Sequence, residues 1–256
     1  MSVKSDQFEG PAVSVIVPVF NEEQTVILLL DRLERCLRDL QGGAEIIVVD
    51  DGSDDSTGAS IRDWLSFDRS LSIKSFRLDR NRGKASAVNV GFRHASGEWI
   101  LIQDADLEYD PRDIKHLMGR ASSNTSAVYG LRPSCAELPN RWVPALGVLA
   151  VDVAIFLLYG RFVRDHATCY KLVRSSVFRT LELSDAGFEG CVEMTCKLIR
   201  MNIRIHQVRI CYVPRSKSDG KKLRWSHGFA ALLETVRWIG WKPKVFPSAK
   251  GRPETP

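Results

Sequence analysis

Short β-branched runs alternating with amphipathic helical patterns constrain this chain more than any other feature. Val13-Ser-Val-Ile-Val-Pro-Val19 reads as a buried strand, because a continuous apolar run of that length needs cover on both faces. Val26, Leu29, Leu30, Leu33 and Leu37 then recur at helical spacing, with Asn21 as the expected cap. The pattern continues with a strand at 45–50, a helix from near Asp55, a strand at 71–78 and a helix from Gly83 to about Ala95. Further strands are expected at 98–103 and 127–130. This alternation predicts an α/β fold with a mostly parallel sheet flanked by helices. In such sheets ligands collect beyond the C-terminal ends of the strands.

Residues 18–22, 50–53 and 104–108 all fall at that edge. Asp104-Ala105-Asp106 ends an apolar run and places two carboxylates one residue apart. Like charges ~4 Å apart repel by roughly 4 kcal/mol at an effective dielectric near 20. A divalent cation relieves that repulsion, and hard oxygen ligands suit Mg²⁺ or Mn²⁺ shared with substrate phosphates. The plain alternative is a solvated Asp-rich turn. Asp50-Asp51-Gly52-Ser53 follows another strand; a carboxylate there can accept from a ribose or base, although such segments more often serve as turns and helix caps. The chain lacks G-x-G-x-x-G after its first strand and G-x-x-x-x-G-K-[ST] throughout, which argues against nicotinamide or flavin cofactors and against P-loop chemistry.

A chain of 256 residues with 44% hydrophobic and 26% charged content can bury one full core. The net charge of +5 is uneven: from Arg200 onward thirteen Lys and Arg stand against three acids, which suggests an anionic partner. Residues 142–159 are almost wholly apolar around Pro144 and Asp152, with Arg141 before them and Arg161 and Arg164 after. A spanning helix needs about 20 apolar residues, and a central Asp costs roughly 2.5–3.5 kcal/mol on insertion. The segment is expected either in the core or lying in a membrane interface. Phe229, Leu232, Leu233, Val236 and Ile239 form a second apolar stripe at helical spacing. Six cysteines show no C-x-x-C pair, and the apolar settings of Cys169, Cys196 and Cys211 predict buried free thiols in a reducing compartment. The polar start lacks the apolar centre of a signal peptide, so a cytoplasmic location is expected.

V-S-V-I-V-P-V-F-N-E (13–22), V-V-D-D-G-S-D-D-S-T (48–57), N-R-G-K-A-S-A-V-N-V-G-F (81–92) and D-A-D-L-E-Y-D-P (104–111) resemble, in order and spacing, the inverting family 2 glycosyltransferases of the GT-A fold. A-T-C-Y-K (167–171), F-E-G-C-V-E-M-T-C-K (188–197) and P-R-S-K-S-D-G-K-K-L-R-W (214–225) look like the polyprenyl-phosphate sugar synthases, the dolichyl-phosphate mannose synthase group. The resemblance implies one domain over 11–241, with a nucleotide-sugar half to 131 and an acceptor half from 132. A disordered start at 1–10 and a flexible tail at 242–256 flank it.

It further implies metal-dependent transfer of mannose or glucose, with inversion, from a nucleotide-diphosphate sugar to a polyprenyl or dolichyl phosphate. By the same resemblance Pro18, Phe20 and Glu22 surround the base and ribose, with Asp50 and Asp51 nearby and Lys84 and Ala105 beside the donor. Asp104, Asp106 and Glu108 would hold Mg²⁺ or Mn²⁺ and the diphosphate; Glu108 stands where the family often has Gln. Arg132 matches an arginine that grips a phosphate, and Arg141 matches another on a shortened loop. Asp104, Asp106 and Arg132 would carry catalysis, and Arg215, Lys221 and Lys222 match a basic loop that closes over the donor. His166 takes the place of a frequent acidic residue. The partners implied are a nucleotide sugar, a polyprenyl phosphate, the cytoplasmic face of a membrane touched peripherally and a membrane-protein partner, with no nucleic acid. A phosphate acceptor already carries about −1.5 to −2 charge and needs arginines rather than a base. Two alternatives stand beside this reading: a hydroxyl acceptor with Glu189 as base, and a non-catalytic nucleotide-binding or membrane-docking module.

Overall fold

The computed structural model describes residues 10–133, 142–184, 190–215 and 225–244. Strands β1 (Val13–Val19), β2 (Ala44–Asp50), β3 (Ser72–Arg77) and β4 (Trp99–Ile102) alternate with helices α1 (Val26–Leu37), α2 (Thr57–Leu65) and α3 (Lys84–Arg93). Then follow α4 (Asp113–Met118), β5 (Ala127–Leu131), α5 (Trp142–Tyr159), β6 (Lys171–Arg174), α6 (Ser175–Leu181), α7 (Gly190–Arg200), β7 (Ile205–Arg209) and α8 (Trp225–Arg237). The strands form one sheet in the order β3-β2-β1-β4-β6-β5-β7. Every pairing is parallel except those of β6, which runs antiparallel to both β4 and β5.

β1 and β2 are buried along their whole length because helices cover both faces. Side chains alternate across the pleat. Val13, Val15 and Val17 meet Leu29, Leu30, Leu33 and Leu37 of α1 on one face. Ile16 joins Val88, Ile155, Phe178 and Leu198 on the other. Truncating one such leucine to alanine costs about 3 kcal/mol. On that second face α3 approaches so closely that a Cβ on Gly91 would lie 2.5 Å from Ile16 Cγ2. Glu45, buried in β2, is satisfied by the Ser14 hydroxyl at 2.6 Å and Lys74 at 2.8 Å.

The register puts the functional tips side by side: Val19 lies opposite Asp50, and Ile16 opposite Ile102. The Gln103 N–H donates to Ile16 O at 2.9 Å, so β4 delivers Asp104 to Asp106 directly beside the end of β1.

Three expectations are corrected. Asn21 is not the cap of α1, whose N-cap is Thr25. Asn21 instead adopts φ +54° and stitches the β1 tip to the next loop through Ser53 and Asp54. Cys211 is exposed, because it follows β7 at the sheet edge, and Cys169 is half-buried; of the three expected buried thiols only Cys196 is buried. The apolar segment α5 is neither wholly core nor free of it. Val151, Asp152 and Ile155 face inward, while Leu146 (62% exposed), Phe156 and Leu157 (74% exposed) face outward. No helix among the described residues is long and apolar enough to cross a membrane. α8 and the turn after it split likewise, with Leu232 packed inward and Leu233, Val236 and Ile239 exposed. The expected disordered start and flexible tail lie mostly outside the described residues.

Candidate active site

Pro18 is buried and Phe20 half-buried at the β1 tip, and Asp50 and Asp51 extend β2 beside them. Both aspartates organise loops. Asp50 accepts the Ser53 N–H at 2.9 Å and pairs with Arg77 at 3.3 Å. Asp51 accepts the N–H groups of Arg82 and Gly83, each at 2.8 Å, and so seats the loop that begins α3. Gly52, at φ +71°, is required here, since a Cβ would fall 2.5 Å from the Arg80 carbonyl carbon.

That loop brings Lys84 to Asp104, and the ammonium bonds Asp104 Oδ1. Burial opposes the charge on both partners. For Lys84 the carboxylate outweighs burial and raises the pKa well above the usual lysine range. For Asp104, Lys84 and a hydrogen bond from Cys169 outweigh burial and hold the carboxyl below its usual range. Asp106 goes the other way. Burial, then Asp104, then Glu108 push it up to about 7. Two neighbouring acids with opposed shifts mark negative charge that the chain alone leaves uncompensated. A cation between them would take two hard carboxylates and leave its other positions to water and ligand oxygens.

The expected third metal ligand, Glu108, is engaged otherwise. Its Oε2 accepts from the Tyr212 hydroxyl at 2.7 Å and its Oε1 from the Arg215 N–H at 2.8 Å. No three His, Cys, Asp or Glu side chains among the described residues form a metal cluster. Glu108 thereby fastens the 212–215 segment over the Asp-x-Asp turn. Arg215 completes the clasp, donating from Nε to Asp106 O at 2.9 Å and from Nη1 to Glu22 Oε1 at 2.9 Å. Ala105 is buried beneath this turn.

Arg132 follows β5 and lies 5.1 Å from the Tyr212 ring centroid. Asp165 grips it in a fork, with Nε donating to Oδ2 at 2.9 Å. Asp165 is held in turn: Asp152 of α5, 4% exposed, accepts the N–H groups of Asp165 at 2.8 Å and His166 at 3.1 Å. This explains an acid inside an apolar helix. It satisfies a tight turn whose Asp165 stands at φ +54°.

Glu22, Lys84, Asp104, Ala105, Asp106, Glu108 and Arg215 therefore converge on one edge, with Arg132 joined through Tyr212. Arg141, Glu189, Lys221 and Lys222 lie outside the described residues. Sequence reasoning missed Asp165, Tyr212 and Lys171. Lys171 is buried, donates to His166 O at 2.7 Å and also lowers the Asp104 carboxyl. A lysine inside the A-T-C-Y-K motif was its signal.

The Glycosyl transferase family 2 model matches residues 14–181. A dolichol-phosphate mannosyltransferase of Pyrococcus furiosus is 27% identical over 238 residues, covering 91% of this chain and 65% of that protein. An undecaprenyl-phosphate 4-deoxy-4-formamido-L-arabinose transferase of Aeromonas hydrophila is 32% identical over 190 residues, covering 67% of this chain and 58% of that protein. The chain thus spans about half to two thirds of the length of these curated relatives. Among solved structures, glucosyl-3-phosphoglycerate synthase from Mycobacterium tuberculosis, in complex with Mg²⁺ and uridine diphosphate, superposes with a TM-score of 0.65 at 17% identity. That superposition covers 90% of this chain and 78% of the other, a likeness of fold.

Proposed function

The chain belongs to glycosyl transferase family 2, and from that premise we propose that it moves one hexose, with inversion, from a nucleotide-diphosphate sugar to the phosphate of a polyprenyl lipid. The observation that carries the reading is the Asp104–Asp106 pair, half-buried at the strand edge and framed by Lys84, Glu22 and Arg215. Relatives named for dolichol phosphate and undecaprenyl phosphate support the acceptor class.

Breaking the sugar–phosphate bond leaves a diphosphate whose growing negative charge must be met by fixed positive groups. Mg²⁺ or Mn²⁺ fits the site, because Asp106 carries uncompensated charge and the donors are hard oxygens. Held by Asp104 and Asp106, the ion would supply positive charge to the departing diphosphate. Lys84 orients Asp104, and Arg215 lies over Asp106 with its guanidinium toward Glu22. Pro18, Phe20 and Glu22 line the nucleoside side, with Asp50 and Asp51 fixing the loops around it.

An acceptor phosphate is already ionised and attacks the anomeric carbon without a general base. Arg132, pre-oriented by Asp165, holds it against repulsion from the diphosphate. The outward apolar faces of α5 and α8, with exposed Arg161, Arg164 and Arg237 beside them, fit peripheral contact with an anionic leaflet on the cytoplasmic side. Each such arginine contributes about 1 kcal/mol near that surface.

Incubation with radiolabelled GDP-mannose or UDP-glucose, polyprenyl phosphate and Mn²⁺ tests the reading. An organic-extractable labelled lipid is the expected product. Failure with both donors, in a chain that binds nucleotide, overturns it.

A further inference from the structure

Two aspartates stand in line behind Arg132, and only the nearer one touches its guanidinium. Asp165 receives Arg132 three times. The Arg132 N–H reaches Oδ2 at 3.2 Å, Nε reaches the same oxygen at 2.9 Å, and Nη2 bonds Oδ1. Both Asp165 oxygens are therefore committed, and the two-point fork fixes the plane of the guanidinium. The hydrogens on Nη1 and the second one on Nη2 are the donors this fork leaves for a phosphate.

Asp165 holds that fork from φ +54°, a backbone region that a non-glycine residue keeps only where its surroundings enforce it. The enforcement comes from two sides. Asp152 of α5 accepts the Asp165 N–H through Oδ2 at 2.8 Å. Its Oδ1 accepts His166 twice, from the backbone N–H at 3.1 Å and from Nδ1 at 2.6 Å. A carboxylate only accepts, so Nδ1 carries the proton. From β6, Lys171 Nζ donates to His166 O at 2.7 Å and to Thr168 O, while the Thr168 N–H closes the turn on Asp165 O at 3.0 Å. Asp152 and His166 are 4% and 3% exposed. Burying a carboxylate in the apolar helix 142–159 is costly unless both oxygens are engaged. Here both are, and every donor belongs to the two residues that seat Arg132.

We propose that Asp152 is a positioning residue for the acceptor: through the turn at 165–168 it fixes Asp165, and Asp165 fixes Arg132 in the orientation that receives the acceptor phosphate. Asp152 meets no substrate itself. Its action passes through Arg132, so removing it should matter only while Arg132 is present.

The kinetic part of this inference rests on the transfer reading; the orientation of Arg132 does not. Asp152→Asn keeps the side-chain shape but offers one acceptor oxygen in place of two. The full chain and this variant are compared in three measurements: cooperative thermal melting, KM for each substrate, and the rate at which phenylglyoxal modifies Arg132. Peptide mapping reads that rate against Arg112, whose side chain is 80% exposed. Asp152→Asn should still melt cooperatively, raise KM for polyprenyl phosphate about tenfold or more and leave KM for the nucleotide sugar unchanged. Arg132 should react severalfold faster than in the unaltered chain. In an Arg132→Ala background the same substitution should add nothing to the acceptor KM. Equal losses in both backgrounds, a parallel rise in donor KM, or unchanged Arg132 reactivity overturns the proposal. Should Asp152→Asn not fold, His166→Phe, which removes only the Nδ1 hydrogen bond, is judged by the same outcomes. Failure of both to fold also overturns it, because Asp152 would then serve the fold alone. An unaltered chain that forms no labelled lipid refutes the transfer reading instead, and the phenylglyoxal map still decides whether Asp152 orients Arg132.

Discussion

Raising the pH from about 5 to about 8 should weaken the cation-free fold and tighten cation binding together, because one carboxyl governs both effects. Asp106 is moved from 3.8 to about 7, by burial first and by Asp104 and Glu108 after it. That displacement corresponds to roughly 4 kcal/mol between its two protonation states. The sign follows from the folded pKa lying above the unfolded one. The stabilising contribution is fully present below about pH 4 and is lost as the pH rises through about 7. A cation entering at pH 6 must displace the Asp106 proton, so its affinity should climb by up to about tenfold per pH unit and level off above pH 7. Calorimetry of Mn²⁺ binding in buffers of different ionisation enthalpy reads this directly. Close to one proton is released at pH 6 and almost none at pH 8.5, both about values for a single titrating site. Asp106→Asn should raise the melting temperature of the cation-free chain at high pH and abolish the Mn²⁺ response. A pH-independent affinity with no proton release refutes the reasoning.

Three further outcomes follow from the same geometry. Lys84→Met leaves half-buried Asp104 without its cation and should destabilise the chain by about 2 kcal/mol in urea denaturation, with Mn²⁺ restoring part of the loss. Arg215→Ala removes the clasp to Glu22 and Asp106 O and should raise KM for the donor by about tenfold or more, with KM for the acceptor far less affected. Replacing Phe156 and Leu157 on the outer face of α5 by Asp should abolish flotation with anionic liposomes while nucleotide-dependent thermal shift persists.

The strands that carry the site were legible because β1, β2 and β4 are buried on both faces, and unbroken apolar runs announce that environment. Asp104 and Asp106 were legible for the same reason, since a strand end exposes the residues just beyond it. Asp50 and Asp51 were legible as turn-forming residues, but not by the partners they use. Their partners, Arg77, Arg82 and Gly83, come from the end of β3 and the loop that follows it, and only the parallel register of β2 with β3 brings them close. Asn21 misled as a cap because its side chain bonds Asp54, far along the chain, in preference to its own helix. β6 and β7 escaped notice because neither carries an unbroken apolar run: Lys171 and Arg174 bracket one, and His206, Gln207 and Arg209 interrupt the other. Asp152 made sense only once the turn at Asp165 and His166 was seen against α5.

The central claim is that Asp104 and Asp106 together hold the ion that steadies the departing diphosphate. A crystal structure with Mn²⁺ and an intact or non-hydrolysable sugar nucleotide, with manganese located by its anomalous signal, tests it most directly. Manganese bound by both carboxylates and by diphosphate oxygens is the expected result. Manganese elsewhere, or a diphosphate bound by Lys84 and Arg215 with neither aspartate touching a metal, would contradict it.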